Sequence, residues 1–355
     1  MRDLPRSATD LRRTQVVKVL GAADEGRWDA FVESCPAATF FHRVGWKRVI
    51  EGSLGHDCHY LYVETAGEIR GVLPLVHIRS RLFSNALISN AFCVYGGPAA
   101  KDRDAYDALE GAAVDLAGTL GVDYLEFRSR SRGNVDWLCN QDLYVAFRSR
   151  LDPNPEANLL AIPRKQRAMV RKGIKAALAS RVEPDIDRFY SIYAESLRNL
   201  GTPVLPKRYF ATLKETFGEA CDVLTVTSSG RPLASVVSFY FRDEVHPYYG
   251  GGIRAARASA ANDFMYWELM RRACGRGYRV FDFGRSKRGT GSFAFKRHWG
   301  FEPEPLCYEF LLFRGSELPA YNPANPKYKA AIALWKKLPL GVANMLGPVL
   351  ARNLG

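Results

Sequence analysis

Several absences bound this chain before anything in it is read positively. Seven cysteines (35, 58, 93, 139, 221, 274 and 307) are scattered without a C-x-x-C pair, so neither a disulfide framework nor a zinc knuckle is expected. Six histidines occur without H-x-x-H or H-E-x-x-H spacing, which offers no metal site. No Ser-His-Asp or Cys-His arrangement can be assembled from spacing, and direct transfer without a covalent intermediate is the simpler chemistry. Phosphate-binding loops are missing too: "GRSKRGTG" lacks the G-x-x-x-x-G-K-[ST] spacing, and no G-x-G-x-x-G joins a strand to a helix. No run reaches the ~18 apolar residues of a spanning helix. The opening "MRDLPRSATDLRRTQ" is basic but has no apolar stretch of the secretory kind, so a cytoplasmic location in a reducing compartment is expected.

Acids are also scarce. Fifty Lys and Arg stand against 37 Asp and Glu, a formal net charge of +13, which points to an anionic partner such as a nucleotide, tRNA, anionic lipid or polymer. The 355 residues, 47% of them hydrophobic, suffice for two cores.

The segments "HYLYVETAGEIRGVLPLVHI" (59–78) and "DVLTVTSSGRPLASVVSFYF" (222–241) each read as two apolar runs joined by a glycine-containing turn, hence a hairpin. The first is followed by "CVYGGPAA", a stretch with Leu109, Ala112, Ala113, Leu116 and Leu120 at helix spacing, and "GVDYLEFRSRS". After the second come "PYYGGGIRAA", a helix with Tyr266, Leu269, Met270, Ala273 and Cys274 on one face, and "GYRVFDFGRSK". Tyr95 answers Tyr249, Gly121 answers Gly277 and Phe127 answers Phe283, at offsets of 154, 156 and 156 residues. Agreement over three separate elements indicates a duplicated α/β unit. A strand apolar on both faces after a crossover helix suits a central parallel position, so each unit should form a mixed sheet of acyltransferase-like outline.

Three prolines in "LDPNPEANLLAIP" (151–163) mark the boundary, predicting a first unit over 15–150, a second over 151–315 and a tail over 316–355. The helix "RKQRAMVRKGIKAAL" places Arg164, Arg167, Arg171 and Lys175 in one stripe with no acid among them, which invites an anion. Charge runs of this kind are as often simply solvated.

The stretch "FDFGRSKRGTGSFAFKRHWGF" (281–301) carries five Lys or Arg, four Gly and a single acid. Asp282 falls mid-strand between two phenylalanines, where an unpaired carboxylate would be costly; Arg285 or a helix N-terminus would serve as its partner. Lys296 stands among aromatics at the end of a glycine-rich turn, placed to donate to a developing oxyanion.

This stretch resembles the C-terminal signature of the Fem family of aminoacyltransferase-like proteins, with its "fDfG" and a lysine that follows an aromatic before a Gly-Phe ending. "TFFHRVGWKRVI" (39–50) and "IPRKQRAMVRKGIKAA" resemble the openings of the family's two domains, and the ending "NPANPKYKAAIALWKKLPLGVANMLGPVLARNLG" is similar to the members associated with exosortase and PEP-CTERM systems. The resemblance implies two tandem GNAT-like acyltransferase domains and an acceptor cleft near their junction. It also implies transfer of an aminoacyl or acyl group to an amine or hydroxyl of a peptidoglycan-like, cell-envelope or exopolysaccharide precursor. Lys296 and Asp282 would then be catalytic, Arg285, Tyr248, Tyr249, Trp46 and Tyr95 would line the substrate cleft, and Arg164, Arg167 and Arg171 would hold an anionic or nucleotide-linked group. Aminoacyl-tRNA and acyl-CoA are both open as donors, since the long coiled-coil arm of some tRNA-using members is missing. An acetyl-CoA-dependent N-acetyltransferase of a small amine or sugar is the alternative, and a non-enzymatic basic adaptor for nucleic acid or anionic polymer the third; DNA is not expected as a partner.

The tail has a separate implication. Residues 321–355 contain five Lys or Arg and no acid, in a segment that alternates apolar patches with Lys336 and Lys337. Such a segment can lie on an anionic inner leaflet or dock back on the protein, and Pro339 prevents it from forming one continuous helix.

Overall fold

The computed structural model describes residues 15–80, 85–315 and 326–354. The basic N-terminal stretch before residue 15 and the first ten residues of the expected tail lie outside them. From the N-terminus the chain forms β1 (Val16–Val19), α1 (Glu25–Ser34), α2 (Gly45–Leu54), β2 (Asp57–Thr65), β3 (Glu68–Arg79), β4 (Asn85–Ser89), β5 (Ala99–Ala100), α3 (Arg103–Leu120), β6 (Tyr124–Ser129), β7 (Leu138–Asn140) and β8 (Tyr144–Arg150). Two helices come next, α4 (Pro155–Ala161) and α5 (Arg164–Lys175), and then the order recurs: β9 (Ala179–Val182), α6 (Asp187–Leu200), α7 (Lys207–Phe217), β10 (Cys221–Ser228), β11 (Arg231–Phe241), β12 (Glu244–Gly252), α8 (Ala261–Gly275), β13 (Val280–Lys287), α9 (Gly291–His298), β14 (Pro303–Pro305) and β15 (Cys307–Leu312). Two helices end the chain, α10 (Pro326–Trp335) and α11 (Leu340–Ala351).

Two mixed sheets result, with equivalent strand orders. The first runs β1-β2-β3-β4-β6-β15-β7, with β5 beside β3, and the second runs β9-β10-β11-β12-β13-β8-β14. Among the described residues, each has one parallel contact, and it lies where the duplication places it, β4 beside β6 and β12 beside β13. A crossover helix separates each parallel pair, α3 in one and α8 in the other, as parallel neighbours require. The duplicated mixed-sheet α/β architecture read from the sequence is therefore the observed one.

The sheets do not respect residue 150. Strand β8 precedes that boundary yet pairs with β13 of the second sheet, while β15, from the far end of the second half, pairs with β6 of the first. Each half lends the other one interior strand. The exchange also brings Cys139 on β7 next to Cys307 on β15, where they form a disulfide across a sequence separation of 168 residues. The expectation of no disulfide fails here because spacing along the chain carries no trace of a contact between strands from opposite halves.

A shared core joins the halves. Phe40 stacks on Phe239 with ring centroids 4.6 Å apart, Phe41 lies 4.9 Å from Tyr248, and Trp46 is wedged against Phe217 at 5.3 Å. Full burial of one such ring stabilises the fold by roughly 2–3 kcal/mol. Pro339 stands at the N-cap of α11, so the described part of the tail forms two helices rather than one.

Candidate active site

The site is built where β13 departs from regular pairing. Against β8, β13 keeps register up to Asp282 and resumes it at Arg285, leaving Phe283 and Gly284 in a bulge. Gly284 adopts φ +66°, a left-handed conformation that a residue with a side chain adopts only with strain. Its N–H donates to Asp282 Oδ1 at 2.7 Å, and the carbonyls of residues 283–285 turn toward α9.

Lys296 meets those carbonyls. Thr290 caps α9 by accepting from the Phe293 N–H, and Phe295 and Trp299 pack the helix against Tyr266 of α8 and Phe283 of β13. This orientation leaves Lys296 pointing at the bulge, where its Nζ donates to the carbonyls of Phe283 (2.6 Å), Gly284 (3.1 Å) and Arg285 (3.0 Å). Burial pulls the ammonium pKa down to about 7, with Asp282 opposing the fall and Arg285 adding to it. Lys296 was expected at the end of a flexible turn. It is a helical residue with a fixed direction.

Asp282 is fully buried at the centre of an ion-pair cluster drawn from both halves. Its Oδ2 lies 3.1 Å from Arg148 Nε, 3.8 Å from Arg130 Nη2 and 3.6 Å from His246 Nδ1, and it accepts the Tyr95 hydroxyl at 3.2 Å. Glu244 completes the group, paired with Arg148, 3.6 Å from Arg130 and 3.2 Å from His246 Nε2. Burial works to raise the Glu244 pKa, but His246 and the two arginines together hold it down at about 2. The guanidinium of Arg130 also covers the Tyr95 ring at 4.4 Å. Ligand atoms of Glu244, His246 and Asp282 fall within 4.8 Å of one another, a spacing a metal ion could use. Two carboxylates already balanced by two guanidinium groups make this an ion-pair cluster as it stands.

The remaining expected residues divide between this cluster and the rest of the molecule. Tyr95 is part of it. Arg285 is not the partner of Asp282: it stacks over Tyr144 at 4.7 Å and donates to the Tyr308 hydroxyl at 3.0 Å, gripping the two exchanged strands. The Tyr248 hydroxyl donates to the Phe92 carbonyl, and the hydroxyls of Tyr249 and Tyr209 are 2.9 Å apart, so Tyr248 ties the halves together while Tyr249 holds α7 to β12. Trp46 is fully buried, its indole N–H donating to the Phe40 carbonyl, and it belongs to the shared core rather than to a surface a substrate can reach. Arg164 and Arg171 are exposed on α5, and Arg167 donates to the Leu160 carbonyl at the end of α4. None of the three is among the groups that contact Asp282. Sequence reading did not single out Arg130, Arg148, Glu244 or His246, although the alternation in "EVH" places Glu244 and His246 on one face of a strand.

Residues 164–297 match the family model described as acetyltransferase (GNAT) domain. Among solved structures the chain is similar to FemX, with a TM-score of 0.65 at 13% identity over 84% of this chain and 97% of that one. It is also similar to the C-terminal domain of a putative lysylphosphatidylglycerol synthetase from Agrobacterium fabrum, with a TM-score of 0.57 at 16% identity over 89% and 96% of the two chains. A tandem GNAT protein from the clavulanic acid biosynthesis pathway gives a TM-score of 0.51 at 13% identity over 86% and 100%. The fold is a tandem GNAT fold. At these identities the likeness is one of architecture, and no curated protein matches the sequence.

The connection from β12 to α8 bears on the choice of donor. Its exposed arginines, Arg254 and Arg257, suit an anion, but the first turn of α8 carries Asp263, which accepts from the Gln166 side chain. A helix N-terminus that already holds a carboxylate is a poor seat for a pyrophosphate.

Proposed function

We propose that this protein is an acyl- or aminoacyltransferase acting on an amine or hydroxyl of a cell-envelope, peptidoglycan-like or exopolysaccharide precursor, with aminoacyl-tRNA or acyl-CoA as donor. The observation that carries this reading is Lys296. A half-buried lysine fixed by three backbone carbonyls, its pKa drawn down to about 7, is a preorganised donor beside a strand bulge in a GNAT domain.

In this mechanism the acceptor amine or hydroxyl attacks the acyl carbonyl, and negative charge develops on the carbonyl oxygen. Protonated Lys296 turns one N–H from a backbone carbonyl to that oxygen, and the remaining two keep it oriented. Collapse of the tetrahedral state breaks the bond to the donor's leaving group and restores the carbonyl, and the proton shed by the acceptor ends on the departing hydroxyl or thiol. Asp282 and its arginines fix the start of the bulge, so that the three carbonyls keep their aim. A radiolabelled acyl-transfer assay with candidate aminoacyl-tRNAs and acyl-CoAs, on lysate-derived envelope precursors, tests the reading. Transfer by the native chain that is lost in Lys296→Met is expected; transfer at the native rate in that variant rules the mechanism out.

A second reading, acetyl-CoA-dependent N-acetylation of a small amine or sugar, draws support from the domain match. Asp263 weighs against it. Calorimetry with acetyl-CoA decides: saturable micromolar binding favours it, and the absence of heat favours another donor.

A further inference from the structure

Helix α11 carries its side chains in the reverse of the usual arrangement. The residues it buries are small: Ala343, Gly347 and Ala351, four apart, face the body of the protein, and Gly347 comes so close to Val204 that an added Cβ would stand 3.0 Å from its backbone nitrogen. The large apolar residues face outward. Val342 is 37% exposed, Met345 67%, Leu346 41% and Val349 63%, at i, i+3, i+4 and i+7, which is one continuous helical face. Leu334 of α10 and Leu354 after α11 are exposed as well. A docked helix normally buries its large apolar residues and exposes its small ones, so this outward face is built to meet something apolar.

Charge identifies the occupant. Lys336 and Lys337 stand exposed at the junction of α10 and α11, Arg352 caps the end of the helix, and no acid occurs from 321 to 355. Association of two copies through this face would set these cations against their own counterparts with no carboxylate in the segment itself to compensate. An anionic lipid surface supplies both an apolar phase for the stripe and counter-charges for its rim. The helix is 12 residues, about 18 Å long, well short of a bilayer's hydrocarbon core, and among the described residues no helix is long and apolar enough to cross a membrane. It would therefore lie in the interface. The two ends of the helix are tied to the body of the protein, with His56 Nε2 donating to the Arg352 carbonyl at 2.5 Å and Arg198 donating to the Leu338 carbonyl at 3.5 Å.

We propose that α11, docked on the protein through its small residues, is a surface for peripheral adsorption to an anionic lipid bilayer. This inference is independent of the transfer chemistry.

The test is flotation of the full chain with vesicles of phosphatidylcholine alone or of phosphatidylcholine mixed with phosphatidylglycerol, at low and high salt. Binding to the mixed vesicles, released by salt, is expected. Met345→Gln/Val349→Gln, at exposed positions that leave the docked face alone, should weaken it on the order of tenfold or more. Lys336→Gln/Lys337→Gln should weaken it by a comparable factor. Thermal melts of both variants check that the fold is kept. No binding to either vesicle, or binding that Met345→Gln/Val349→Gln leaves unchanged, overturns the proposal. So does sedimentation showing a dimer of the native chain that the same variant dissociates.

Discussion

The strands β6 and β13 occupy equivalent places in the two halves, and they diverge just past their central carboxylates. In β6, Glu126 is neutralised by Arg128 two residues along the same strand, with Arg128 Nε at 2.8 Å, and β6 pairs with β15 in unbroken register. In β13 the residue two beyond Asp282 is Gly284. The strand bulges there, and Asp282 recruits its cations from elsewhere, Arg130 from the first half and Arg148 from the exchanged strand. After β6 the chain runs as a loop through 130–137, whereas after β13 it forms α9 and delivers Lys296. One half keeps its carboxylate self-contained and its strand regular. The other opens both, and the proposed chemistry sits in the opening.

This contrast can be broken at graded cost. Lys296→Met should reduce transfer by about a hundred- to a thousandfold, the usual effect of losing one oxyanion donor, without lowering the melting temperature. Its pH dependence has a defined sign. The donor is the protonated form, so kcat/KM of the native enzyme should fall as pH rises through about 7. Lysine in the unfolded chain titrates near 10.5, so between about 7 and that value the folded state holds fewer protons and gains stability as pH rises. Denaturation measured across that window should show a slope that Lys296→Met removes.

Asp282→Asn should cost about 2–3 kcal/mol in denaturant unfolding, because it removes the fully buried carboxylate faced by Arg148, 21% exposed, and Arg130, 36% exposed, and it should also abolish transfer. Glu126→Gln in the other half sharpens the comparison: a similar loss of stability is expected with transfer retained at the temperature where the variant is folded. Gly284→Ala meets no neighbouring atom, so its cost is backbone strain alone, about 1–2 kcal/mol, with transfer falling as the carbonyls lose their aim. At the low end, Arg164→Ala and Arg171→Ala should change unfolding by less than about 0.5 kcal/mol. A marked rise in KM for the donor in these two would show that the α5 stripe holds an anionic substrate group.

The duplication was legible because hairpin alternation, the crossover helix and the glycines that end each helix are local patterns that repeat at a fixed offset. The exchange of β8 and β15 was not, since a strand has the same pattern whichever sheet receives it. Within the site the sequence pointed to Asp282 and to its need for a partner, but the nearby Arg285 drew attention from Arg130 and Arg148, which only the tertiary fold brings close. Lys296 was legible as a candidate, while its helix was hidden by Gly289 and Gly291, which read as a turn although Thr290 between them is the N-cap.

The exchanged strands also say how such a chain is put together. Neither half contains the strand that completes its own sheet: 15–150 lacks β15 and the second half lacks β8. A single half expressed alone would present an open gap beside its central strand, and another half is the one partner shaped to fill it. In that sense the protein is a strand-swapped dimer fused into one chain. The fusion left one member free to become irregular at Gly284 while the other held its regular form.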